Sequence, residues 1–200
     1  MSVGLIIGLA FLVFVGVTIF KGVRIVPQGY KWIVQRLGKY HSTLNPGLNF
    51  VIPYVDEIAY KVTTKDIVLD IPSQEVITRD NAVLLMNAVA YINLTTPEKA
   101  VYGIENYTWA IQNLVQTSLR SIVGEMDLDD ALSSRDHIKA KLKAAISDDI
   151  SDWGITLKTV EIQDIQPSTT MQAAMEAQAA AERQRRATVT RADGEKQAAI

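Results

Sequence analysis

No cysteine occurs among the 200 residues. Disulfides, thiolate catalysis, cysteine-based zinc sites and palmitoylation are thereby excluded, while the redox compartment stays open. Histidine is almost as scarce: His41 and His137 are the whole complement, and surface positions in a turn and in the first turn of a helix explain them better than roles as base or ligand. Gly29, Gly38 and Gly47 stand alone, so there is no glycine-rich loop to cradle phosphate. Position 2 is Ser, which excludes N-myristoylation. Acidic residues are absent before Asp56, and charge of either sign is absent from residues 3–20.

That uncharged stretch, VGLIIGLAFLVFVGVTIF, carries Val3, Leu5, Ile6, Leu9, Phe11, Leu12, Phe14, Val17 and Phe20. As a helix it reaches about 27 Å, close to the thickness of a bilayer's hydrocarbon core. A cleaved signal peptide would need a basic start, a shorter apolar run and a small-residue cleavage site, so the stretch reads as an uncleaved transmembrane anchor. Lys21, Arg24, Lys31, Arg36 and Lys39 all follow it. The positive-inside rule then puts the large C-terminal part in the cytoplasm and the N-terminus outside. Gly4 and Gly8 form a weak small-xxx-small signal for contact between anchors.

The net charge of −2 hides an asymmetry. Residues 1–55 hold five of the 20 basic residues and none of the 22 acidic ones, leaving 15 basic against 22 acidic, or −7, for the remainder. This argues against nucleic acid as a partner and places any attraction for anionic lipid next to the anchor.

Beyond the anchor, YKWIVQRL (residues 30–37) reads as a strand ended by Gly38. In LNPGLNFVIPYVDEI (residues 44–58), Leu48, Phe50, Ile52 and Tyr54 follow a Pro46-Gly47 turn close to the basic flank. They suit either a loop pressed into lipid headgroups or an ordinary half-buried strand and turn. Alternation at Ile58, Tyr60 and Val62 and at Ile67, Leu69 and Ile71 predicts two more strands, the second interrupted by Pro72. Residues 82–94 are apolar at every even position and at several odd ones, as in a central strand covered on both sides.

Thr96-Pro97-Glu98 starts a short helix ended by Gly103, and Asn106 caps the next, with Ile111, Leu114, Val115, Leu119 and Ile122 on one stripe. Ile138, Leu142, Ile146, Ile150 and Trp153 line a third helix stopped by Gly154. A last strand covers residues 155–165, with a phase shift between Leu157 and Val160 that predicts a bulge or an exchange of the faces it covers.

From residue 168 on, ten of 33 residues are Ala, and the large apolar side chains are only Met171, Met175, Val189 and Ile200. Charges of both signs, among them Arg183, Arg185, Arg186 and Arg191, are interspersed. Helix propensity is high, but no wide stripe exists to bury against a core. The segment reads as an oligomerisation helix laid beside copies of itself, continuing beyond residue 200; a solvated single helix is the alternative.

No catalytic constellation emerges. Asp127, Asp129 and Asp130 lack the Gly and Glu that an EF-hand loop requires and read as helix caps. Ser133, Ser134 and Lys139 read as a helix start with a solvated face. No cofactor, metal or catalytic residue is expected.

Several separated motifs in order resemble the SPFH or Band 7 family (stomatin, prohibitin, flotillin and HflK/C), and within it the bacterial stomatin-like proteins of the QmcA type. They are VPQGYKWIVQRLGKY (residues 26–40), LNPGLNFVIPYVD (44–56), DIPSQEVITRDN (70–81), LRSIVGEMDLDDALSSRD (119–136), WGITLKTVEIQDI (153–165) and the AERQRRA and ADGEKQA runs. The resemblance implies an α+β protein: a transmembrane anchor with basic flank (1–24), an SPFH domain with an antiparallel or mixed sheet and packed helices (25–167), and the start of a long Ala-rich assembly helix (168–200). It also implies a non-enzymatic, homo-oligomeric scaffold at the bacterial inner membrane. Such a ring or cage organises a membrane microdomain and encloses or regulates membrane-bound proteases. A modulator or subunit of an ion channel or transporter is the alternative, and a membrane-anchored serine hydrolase a more distant one. The cysteines that lipidated animal members use are missing here.

Overall fold

The computed structural model describes residues 3–198, with the side chains of Val3, Leu5, Ile6, Ala10 and residues 193–198 outside the description. It opens with α1 (Val3–Gly22), β1 (Val23–Val26), β2 (Tyr30–Arg36), β3 (Lys39–Leu44), β4 (Gly47–Phe50), β5 (Asp56–Thr63), β6 (Ile67–Ile77) and β7 (Val83–Leu94). There follow α2 (Pro97–Gly103), α3 (Tyr107–Gly124), α4 (Leu128–Ser133), α5 (Arg135–Asp152), β8 (Ile155–Pro167) and α6 (Thr169–Ala198). The strands make a two-stranded ribbon, β1-β4, and two three-stranded sheets ordered β3-β2-β5 and β6-β7-β8. This is the α+β architecture expected, with β7 at the centre of its sheet.

Of the spanning reading of residues 3–20, the structure shows the helix. α1 is a helix of 20 residues, yet among the described residues no helix is long and apolar enough to cross a membrane. Val3, Leu5 and Ile6 lie outside the described side chains. Leu9, Phe11, Leu12, Phe14, Val17 and Phe20 are all exposed.

Three further differences concern strands. The basic flank divides, Lys21 in the last turn of α1 and Arg24 on β1, and His41 sits within β3 rather than in a turn. β6 runs straight through Pro72. β6 is an edge strand of its sheet, the place where a residue with no N–H is tolerated.

The chain divides into two compact units. In the unit formed by Met1–Leu69, Ala90–Ile111 and Ile146–Thr159, β2 pairs antiparallel with β3 and β5, and each partner carries an extra residue next to Val34, His41 in β3 and Ala59 in β5. One face buries Val26, Val34 and Leu44 against Trp32, Val51 and Ile58. On the other, Gln35 Nε2 donates to the Tyr102 hydroxyl at 2.9 Å, and Tyr40 and Tyr60 meet the Tyr102 ring edge-on. Gly154, at φ +71°, stops α5 as expected; a Cβ there would lie 2.5 Å from the Thr96 carbonyl oxygen.

In the unit formed by Asp70–Val89, Gln112–Ala145 and Val160–Ile200, the stripe Val115, Leu119 and Ile122 is buried, as are Ile138 and Leu142. Gln74 fixes α3 by donating to the Gln116 carbonyl at 3.0 Å and accepting from Arg120 at 2.8 Å. β8 is tied at the Asp164 N–H, which donates to Asn87 Oδ1 at 2.8 Å. Ser168 starts α6, its N–H donating to the Val83 carbonyl and its hydroxyl accepting the Met171 N–H.

Candidate functional site

Helix α1 passes into β1 without a linker, and Gly22 makes the join. Its carbonyl accepts the Val51 N–H at 2.9 Å, and a Cβ at this position would stand 2.8 Å from the Val51 carbonyl oxygen. Only glycine lets the end of the helix approach this backbone so closely.

The β1-β4 ribbon then sorts its side chains by register. Val23 faces Phe50 and Ile25 faces Leu48, and directly opposed residues of an antiparallel pair project to the same side. Ile25, Leu48 and Phe50 are 71%, 61% and 70% exposed, whereas Val26, on the opposite face, is buried in the core. The ribbon therefore turns an apolar face outward directly beside α1. Ile25 was missing from the sequence reading; the alternation in VRIV after Lys21 is the signal that identifies it.

The loop 52–55 extends this surface. Ile52 and Tyr54 are exposed, and Tyr54 adopts φ +73°, a backbone region unfavourable to a bulky side chain. Lys21 Nζ lies 5.8 Å from the centre of the Tyr54 ring. The loop is closed by Asp56, whose carboxylate accepts the Ile52 N–H at 2.8 Å and takes Arg36 bidentately at 2.7 and 3.1 Å. The Arg36 guanidinium holds the Asp56 carboxyl down at about 2; burial opposes this, and the Ile52 N–H assists it.

Lys21 and Arg24 are brought together along this face. They share one cleft of about 570 Å³ with Val51, Tyr54, Asp56 and Glu57. They share another of about 630 Å³ with Phe20, Val23, Ile25 and Trp32. Lys31, grouped with them in sequence, lies on β2 opposite Val62 and lines neither cleft.

The predicted assembly residues belong to α6. Met171 and Met175 are half-buried, and Arg183, Arg185, Arg186 and Arg191 are exposed. Met175, Arg183 and Arg186 line a cleft of about 570 Å³ with Asp80, Leu128 and Asp129, and Arg186 also pairs with Glu182 at 2.9 Å. Contrary to the capping expected of the acidic cluster, Asp127 makes no side-chain cap bond; it pairs with Arg79. The Leu128 N–H donates instead to Asp80, from the β6–β7 turn. The Ser133 hydroxyl donates to the Asp129 carbonyl at 2.7 Å and Lys139 pairs with Glu161 at 2.5 Å, so the two are not brought together as nucleophile and base.

Residues 24–196 match the family described as SPFH domain / Band 7 family, and the chain belongs to that family. Its members are often membrane scaffolds and generally non-enzymatic. A protein of Methanocaldococcus jannaschii is 41% identical over 178 residues, 89% of this chain and 89% of its own length. The human protein Stomatin-like protein 2, mitochondrial, is 38% identical over 178 residues, 89% of this chain and 50% of its own. A protein of Mycobacterium tuberculosis is 36% identical over 195 residues, 96% of this chain and 51% of its own. The chain thus spans about half the length of the latter two relatives.

Proposed function

We propose that the chain acts as a homo-oligomeric membrane scaffold of the bacterial stomatin-like, QmcA kind, without enzymatic activity of its own. Helix α1 anchors it as a single pass in the inner membrane, N-terminus outside, and the SPFH domain rests on the cytoplasmic face. Copies assemble through α6 into a ring or cage that organises a membrane microdomain and encloses or regulates membrane proteins such as proteases.

The observation that carries this reading is α6. Thirty residues long, it is exposed at every described position from 176 to 192. A helix rich in Ala and in charge of both signs gains little from a core of its own chain and much from parallel copies, where small residues permit close approach. For the anchor, support comes from the helical bounds Val3–Gly22, the uncharged sequence of residues 3–20 and the outward apolar face of the adjoining ribbon.

Size analysis and electron microscopy of detergent-extracted protein test the proposal. Rings or cages are expected; a monodisperse monomer overturns it.

A further inference from the structure

We infer that the cleft lined by Phe20, Lys21, Val23, Arg24, Ile25 and Trp32 is a binding site for one anionic phospholipid, holding its headgroup phosphate and the first part of its acyl chains. The inference rests on the proposed membrane position of α1 and adds to it a selectivity for lipid charge.

The lining contains two cations, four apolar side chains and no carboxylate. Among the described residues neither Lys21 nor Arg24 forms an ion pair, so both charges are available to a ligand. A third is close by, since Lys61 Nζ stands 4.7 Å from the centre of the Trp32 ring. Guanidinium and ammonium groups together suit a phosphodiester, the first through paired hydrogen bonds and the second as a point charge. A free phosphate would have no use for Phe20 and Ile25, which are 86% and 71% exposed at the same cleft. An amphiphile uses both halves of the lining.

Its position fits as well. The cleft begins on the last residues of α1 and continues onto β1, the depth at which headgroups meet hydrocarbon if α1 is inserted, and a half-buried Trp belongs at that level. A volume of about 630 Å³ accommodates a phosphoglycerol headgroup with its adjoining methylenes, not whole acyl chains. Asp56 and Glu57 line the neighbouring cleft that Lys21 and Arg24 also border. Asp56 is neutralised by Arg36, leaving Glu57 as the charge opposing an anion.

The test uses the full chain with Trp109→Phe and Trp153→Phe, so that Trp32 alone fluoresces, reconstituted in phosphatidylcholine vesicles. Brominated phosphatidylglycerol quenches Trp32 at a several-fold lower mole fraction than brominated phosphatidylcholine, and saturably. Lys21→Gln with Arg24→Gln raises the required fraction about tenfold or more while vesicle flotation persists, and Glu57→Gln lowers it. Native mass spectrometry of the unsubstituted chain, counting retained phosphatidylglycerol, supplies the same answer without tryptophan replacement: one lipid per chain. Equal quenching by the two lipids in chains that float overturns the site and leaves the anchor standing. Reversal by inorganic phosphate, or equal loss of preference in a Lys31→Gln, Lys39→Gln variant, also overturns it. Failure to float overturns the anchor and the site together.

Discussion

Arg36 faces Asp56 across β2 and β5 and donates two hydrogen bonds to its carboxylate, at 2.7 and 3.1 Å, with the Asp56 side chain only 4% exposed. The same carboxylate closes the loop 52–55 through the Ile52 N–H. One acidic side chain thus joins the end of a sheet to an exposed apolar loop.

Acid should release this join. The Asp56 pKa lies near 2 in the folded chain, below its ordinary value of 3.8, so the unfolded chain takes up the proton first as pH falls. The pair's contribution to stability is complete above about pH 4 and disappears progressively toward about pH 2. Urea unfolding followed across this range gives a falling midpoint, and Asp56→Asn removes that part of the fall while lowering stability at neutral pH. An unchanged acid profile in the variant would show that other carboxylates dominate.

Gly22→Val forces a side chain into the space of the Val51 carbonyl. Destabilisation of about 1–3 kcal/mol is expected, as for other overpacked sites, read as a lower Tm. A Tm equal to that of the original chain would mean that α1 and the segment after β4 separate without loss.

Replacing Phe50 and Ile52 by Asp in a fragment beginning at Val23 weakens liposome binding about tenfold or more, since each apolar side chain contributes about 1.5–3 kcal/mol when buried. Flotation assays measure this. Unchanged binding assigns the outward face of the ribbon to something other than lipid.

Leu37 offers a gain rather than a loss. It stands at φ +51° beside Gly38 at φ +81° and is 85% exposed, so it bears the strain of a left-handed backbone without burial in return. Leu37→Asn creates the Asn-Gly pair favoured in two-residue hairpins and raises stability by about 1 kcal/mol, measurable by chemical denaturation.

Reversing Arg183 and Arg186 to Glu places like charges beside Glu182 and opposite Asp80 and Asp129. Under the proposed assembly the variant elutes at lower mass than the unsubstituted chain in detergent. Retention of full size would remove these arginines from the contact between copies.

Periodicity made much of the fold legible. The helices with Ile111, Val115 and Leu119, and with Ile138, Leu142, Ile146 and Ile150, were evident because the spacing of apolar residues along a helix is a local property. The stop at Gly154 was equally evident, since the φ it needs is written in its missing side chain. Two local signals misled: Pro72 suggested a break where an edge strand continues, and Asp127 suggested a cap that Asp80 provides.

Sequence by itself determined the longer helices and most of the longer strands, the uncharged stretch at the start, the acidic balance of the rest and the Ala-rich, charge-mixed helix that follows. Tertiary structure alone decided that Ile25 stands beside Leu48, that Arg36 claims Asp56, and that Lys21 and Arg24 share a cleft with Trp32 while Lys31 does not. Each of these joins residues distant along the chain. Propensity and period act over a few neighbours, whereas strand register and ion pairing are settled only when backbone hydrogen bonds bring remote segments into contact.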